Sequence, residues 1–310
     1  MAEAMGGKLK TSDIVDQVLE AKRESEEAFR VKKSWSRRAW SWYNNEMDDS
    51  HKEEWQSKVR IPNFAMAVDQ AEMFMKQSLK KASRVFGIEV LSTNPIDNLL
   101  AAFFSVVMHE FLRKMDFPSL AASSLKTSLL DNMGIMKSGW TKRDEVELAP
   151  KRMENGGYEL EQVIRRVSEP MISVVDPLHY YPDPTGLGMY KIHDVERDLY
   201  QVLESFKGVA SAKVLQALED DKGQGDSMAE ETEKKVDSRA RAQQMENVNA
   251  WRRPVRLTEY WGHLFERSTG RLVAKNQRAT IANDKHLLVV DAFPFFDGKD
   301  PFTHFNALSV

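Results

Sequence analysis

The sequence contains no cysteine. Disulfides, thiolate zinc sites, iron–sulfur clusters and cysteine nucleophiles are excluded together. An excess of charge of one sign is missing too: 44 Lys and Arg stand against 47 Asp and Glu, a formal net charge of −3. Tight, sequence-independent binding of duplex nucleic acid needs many Lys and Arg contacts to phosphate, so that class is disfavoured; loose contact with passing DNA is not. No run approaches the roughly 18 uninterrupted apolar residues of a membrane span, and the opening MAEAMGGKLKTSD lacks the apolar core of a signal peptide. A soluble, cytosolic product with no membrane partner is expected.

Catalytic motifs are equally scarce. Neither the phosphate-cradling G-x-x-x-x-G-K-[ST] nor the nucleophile elbow G-x-S-x-G occurs. His109 and Glu110 begin an H-E-x-x-H zinc signature, but Arg113 stands where its second ligand belongs. Gly223-Gln224-Gly225 has no strand before it, which a dinucleotide site requires. The histidines, His51, His109, His179, His193, His263, His286 and His304, are dispersed.

What is present is periodic. A chain of 310 residues suggests about two domains and a real core. Residues 11–46 read as one long helix, with Thr11, Ser12 or Asp13 as N-cap, Ile14, Val15, Val18 and Leu19 on its apolar face, and Ser34 as a candidate break. Its second half interleaves Arg30, Lys32, Lys33, Arg37 and Arg38 with Trp35, Trp40 and Trp42. Two readings fit: a nucleic-acid patch, or, preferred, a helix burying its tryptophans against a neighbouring domain or subunit. A helix follows Pro62 and runs to about Ala82, with Phe64, Val68, Ala71 and Met75 on one face. SRVFGIEVLS suits a short strand, and Pro95 starts a helix apolar enough to be mostly buried. The next helix, from about Pro118 to Asn132, is expected to end in a left-handed turn at Gly134.

From Gly134 the period changes to alternation. Two strands flank Asn155-Gly156-Gly157 as a hairpin. Residues 194–219 read as helix in two pieces, with Leu199, Val202, Leu203 and Phe206 on one face. Residues 220–250 hold almost no large apolar side chain, so a mobile loop or solvated helix is expected. Three strands then form a β-meander with turns at Ser268-Thr269-Gly270 and Asn283-Asp284. The regions are therefore 1–133, mainly helical; 134–219, hairpin, corner and helices; 220–250, polar; and 251–310, the meander. The fold class is α+β.

The stretch VVDPLHYYPDPTG invites a chemical reading, since Asp176, His179 and Asp183 could converge on a divalent ion, with His193 and Asp194 arriving from across the loop. A metal-dependent hydrolase would follow. The competing reading is a rigid corner. Pro177, Pro182 and Pro184 fix their own backbone angles and hold the preceding residues extended, while Asp side chains bond nearby amides. On that reading Asp183→Ala costs only a turn hydrogen bond, about 1 kcal/mol.

A strand ending in V-x-D-P at Asp176-Pro177, an aromatic link, a second pair Asp183-Pro184, and Asp194-x-x-Arg197 placed at a helix start form an ordered set. Further along come Glu259-Tyr260-Trp261, an I-A-N turn at Asn283, Pro294-Phe295 and Pro301-Phe302, and earlier Trp55 leads to Pro62. This order resembles portal proteins, the head-to-tail connectors of tailed bacteriophages, podophage-like ones in particular. The resemblance implies a subunit with long helices, an antiparallel hairpin and a meander, assembled head to tail into a homo-oligomeric ring, twelve in the family, at one capsid vertex. Double-stranded DNA would pass through it without sequence specificity, driven by a separate terminase and later ejected, and capsid and tail adaptor proteins would dock on it. It implies no cofactor and no catalytic residue. Family members continue past a segment like Pro301-Phe302 into a channel region, so this chain is expected to lack that region. Another phage head–tail adaptor or ring-forming virion protein is the alternative; the location implied is the virion, with host cytoplasm during assembly.

Overall fold

The computed structural model describes residues 10–46, 61–82, 87, 88, 90, 94–152, 158–221, 253–295 and 297–305. Trp55, most of SRVFGIEVLS, the hairpin turn and nearly all of 220–250 lie outside the described residues. The fold is α+β, with an N-terminal helical part and two antiparallel sheets.

Helix α1, Thr11–Tyr43, is continuous through Ser34 and about 50 Å long at 1.5 Å per residue. Ser34 does not interrupt it, and its hydroxyl donates back to the Val31 carbonyl. The N-cap is Lys10, without a side-chain cap, and Asp13 instead sits in the first turn, where its charge suits the helix dipole. Ile14, Val18, Lys22 and Ser25 recur every three or four residues and are buried. Helices α2, Asn63–Lys81, α3, Pro95–Lys114, and α4, Phe117–Asp131, follow. Asn132, with φ 53°, makes the left-handed stop of α4, while Gly134 already starts the first strand. Asn tolerates that conformation, so the turn needs no glycine.

Strands β1, Gly134–Arg152, and β2, Tyr158–Val175, pair from Ile135↔Val175 to Arg152↔Tyr158 as one long ribbon. The expected hairpin thus extends over 18 register pairs. A 3-10 turn, Pro177–His179, leads into β3, Tyr180–Pro182, and β4, Tyr190–Asp198. Residues 194–198 are strand, not the expected helix start: their side chains alternate, and β5 supplies a register partner for every residue from Tyr190 to Asp198. Helices α5, Leu199–Phe206, and α6, Ala212–Asp220, come next. Strands β5, Pro254–Phe265, β6, Leu272–Ala282, and β7, His286–Ala292, are the meander, and β8, Phe302–Phe305, adds to β1.

The sheet orders are β2-β1-β8 and β3-β4-β5-β6-β7. The larger sheet is covered on both faces. Tyr190, Ile192, Tyr260, Leu264 and Ile281 pack with Ile14 and Val18 under α1. Val255, Leu257 and Leu288 pack with Leu199, Val202 and Leu218 of α5 and α6. A third cluster, Ile135, Val175, Tyr180, Trp261 and Phe302, joins the two sheets. Gly262 is required where the entry to β4 lies beside β5, since a Cβ there would lie 2.6 Å from the Met189 carbonyl oxygen.

The helical part differs. Only Ala101 and Leu112 of α3 are buried, and Leu99 is 72 % and Phe103 60 % exposed, so the described residues do not give this helix the burial expected of it. On α2 the packed residue is Val68, while Phe64, Met66, Met73 and Phe74 are exposed. Apolar periodicity marks a surface to be covered but does not say by what.

Candidate functional site

The landmark residues meet where β2 leaves the ribbon and enters the larger sheet. Asp176 caps the 3-10 turn, its carboxylate accepting from the Leu178 amide at 2.9 Å. Its extended backbone, φ −72° and ψ 119°, is what Pro177 demands of the preceding residue. Asp183 is buried and draws in the loop that follows: Oδ1 accepts from the Thr185 amide at 2.9 Å and hydroxyl at 2.6 Å, and Oδ2 from the Met189 amide at 2.8 Å. Burial would raise its pKa, but these donors and the Gly188 amide prevail and hold the carboxyl below its usual range. Pro184 is half-buried beside it.

Between the two Asp-Pro pairs, Tyr180 and Tyr181 point to opposite faces of the sheet. Tyr180 enters the third cluster, 5.2 Å from the Phe302 ring, with its hydroxyl 2.7 Å from His304 Nε2. Burial pushes that phenol well above its ordinary pKa. Tyr181 lies under α1, where Lys33 Nζ sits 3.9 Å from its ring centroid and donates to the Leu178 carbonyl at 2.8 Å. Ser25 donates to the Pro182 carbonyl at 2.7 Å, and the Tyr190 hydroxyl to the Ala21 carbonyl at 3.0 Å. The corner is thus held from both sides.

Glu259 and Trp261 face the same cluster. Lys137 pairs with Glu259, and the Trp261 Nε1–H donates to the same carboxylate at 3.4 Å. Burial acts to raise the Glu259 pKa; the Lys137 charge outweighs it and holds the carboxyl below its usual range. His193, opposite Glu259 in the register, is pushed down to about 4 by burial, aided by Lys137. Pro301 and Phe302 are buried and fixed by the Ser138 amide on the Pro301 carbonyl at 2.9 Å and by Asp300, which pairs with Lys191 at 2.8 Å. Phe295 packs at the edge of the cluster and Pro294 is exposed.

Other landmarks lie apart. Tyr260 is on the opposite face, stacked 6.1 Å from Tyr190. Asn283 and Asp284, φ 50° and 56°, form the tight β6–β7 turn, as the sequence predicts, and the Asn283 carbonyl oxygen Oδ1 accepts from the Arg256 amide. Pro62 precedes α2, remote in sequence from the corner, and is exposed.

The arrangement brings Asp176, His179 and His193 close enough to act on one another electrostatically, but it does not gather the full set of the metal reading. Asp183 is engaged by its own loop, Asp176 by its turn, and Asp194 by Lys22 at 2.7 Å and the Thr258 hydroxyl at 2.8 Å. No group of three or more His, Asp or Glu among the described residues is placed to hold a metal ion. The geometry makes a rigid corner. In the basic helix, Trp40 donates to Asp131 at 2.8 Å and the Ser36 hydroxyl donates to the same carboxylate oxygen, tying α1 to α4. Trp35 and Trp42 are exposed and Trp40 is half-buried, so among the described residues the tryptophans are covered less than expected.

Sequence reasoning missed the pairs Lys22–Asp194, Lys137–Glu259 and Lys191–Asp300. Their partners lie far apart along the chain, and no local spacing signals them. No protein-family model matches the chain, and no curated protein matches it.

Proposed function

We propose that the chain is a structural, non-enzymatic subunit of a homo-oligomeric ring, the portal at one capsid vertex of a tailed bacteriophage. In this role a separate terminase drives double-stranded DNA through the ring, and capsid and tail adaptor proteins dock on it. The observation that carries the reading is the contrast between polar groups and apolar surface. The acidic residues of the corner are spent on turns and ion pairs, which supports scaffolding, while α2 and α3 leave large side chains in water. Contiguous exposed apolar surface beyond a few hundred Å² is unusual for a monomer and marks an interaction surface.

A head-to-tail contact of this kind closes into a ring when its rotation divides a full turn. Negative-stain electron microscopy with light scattering on the same sample tests it. Closed rings with a central hole are expected; a uniform monomer at micromolar concentration contradicts the reading.

A further inference from the structure

Two apolar surfaces are left exposed among the described residues, and they differ in shape. The first is the outer face of α3. Ile96, Leu99, Leu100, Phe103, Phe104 and Val106 lie on one side of the helix and are all exposed. At these exposures they leave roughly 700 Å² of apolar surface in water, close to the ~800 Å² per partner of a stable protein interface.

The second surface is on the distal half of the ribbon. Val146 pairs with Ile164 and Leu148 with Gln162, and alternation puts Val146, Leu148, Leu160 and Ile164 on one face. Ile164 is 67 % and Val146 66 % exposed. Glu147 and Arg165 pair on the opposite face, where Val163 also lies, while Gln162 and Arg166 flank the apolar group, so one side of the ribbon is the more apolar and the other the more charged. An isolated two-stranded ribbon is marginal in water and needs that apolar side covered. Within the chain, α4 and β8 meet the ribbon near its base. Val146 stands eleven residues beyond Ile135, about 35 Å along the strand, so the ribbon carries its apolar face away from its own body.

We propose that the distal β1–β2 ribbon of one copy lies on the α3 face of the next copy. One repeated heterologous contact covers both surfaces in every subunit. Like-with-like pairing through either surface alone leaves the other in water. A lipid bilayer is a poorer occupant for α3, although the helix is long and apolar enough by composition. Asp97 and Glu110 bracket only about 20 Å of helix, short of the roughly 30 Å hydrocarbon core. This inference rests on the assembly reading above and names its contact.

The absence of native cysteine makes the test free of background. Full-length Leu148→Cys and Phe103→Cys chains are purified separately, mixed under assembly conditions, and treated with a short thiol-specific bismaleimide; Ile164→Cys with Leu99→Cys repeats the measurement. Circular dichroism like that of the unsubstituted chain confirms folding. A cross-linked dimer in each mixture, and none from any variant alone, is expected. No product in either mixture, or a product from a single variant alone, overturns the proposal. So does flotation of the unsubstituted chain with phosphatidylglycerol-containing vesicles that Phe103→Asp abolishes. Closed rings without the mixed cross-link would remove this contact and leave the ring reading intact. Mixed cross-links in open fibres would keep the contact and remove the closed ring.

Discussion

On the five-stranded sheet Tyr260 is 1 % exposed, stacks on Tyr190 and donates its hydroxyl to the His263 carbonyl. On α3 Phe103 is 60 % exposed and meets Phe104 edge to face. Both side chains are large aromatics in regular elements. The sheet has α1 on one face and α5 with α6 on the other, so its apolar groups are covered by the chain itself. No described segment covers the outer face of α3 in this way. One region is covered by its own chain, and the other is left exposed among the described residues.

Substitutions separate the two regions, beginning with the largest effect. Trp261→Ala empties a cluster shared with Phe293 and Phe302 and should cost about 3–5 kcal/mol in urea unfolding. A cost below 1 kcal/mol would show that the third cluster does not join the sheets. Lys22→Ala leaves the buried Asp194 carboxylate without its ion-pair partner, at a cost of about 3 kcal/mol. Lys22→Met keeps the packing but not the charge, so a comparable loss there would assign the effect to the pair.

Asp183→Ala removes an ionised acceptor from three donors and should cost about 2 kcal/mol, more than the single turn bond expected from sequence. Because the native carboxyl is held below its usual pKa, this contribution is present above pH ~4 and is lost as pH falls through the native value.

His193 tests the sheet from the other direction. Its imidazole is neutral in the fold down to about pH 4, whereas the unfolded side chain takes up a proton below its ordinary value of 6.5. Stability is therefore full above pH 6.5 and declines between 6.5 and 4. His193→Phe should flatten that decline in thermal melts, incompletely, since His304 is also held down by burial. An unchanged slope would remove His193 as the cause.

Phe103→Asp should change monomer stability least, by about 0.5 kcal/mol or less, because the site is already wet. Its effect should appear in light scattering, as loss of assembly. The comparison fails if this substitution unfolds the monomer or leaves assembly untouched.

The hairpin, the meander turns and the Asp-Pro corner were legible in the sequence because each rests on neighbours a few residues apart. Period-two alternation sets the strands, the Asn283-Asp284 pair accepts positive φ, and proline restricts the residue before it. The same local logic misplaced the helix start at Asp194. That segment is strand because Pro254–Gly262 runs beside it, a partner some sixty residues away whose approach no local pattern announces.

The sequence by itself determined where the apolar stripes lie and which carboxylates stiffen a turn. Tertiary structure alone decided which stripes are covered, placing Tyr260 inside and Phe103 outside. It also decided that Lys22 meets Asp194 and Lys137 meets Glu259. The physical reason is that turn chemistry and periodicity act through bonds along the chain. Burial and ion pairing depend on which distant segments come to lie against one another, and for α3 no described segment of the chain does so over its outer face.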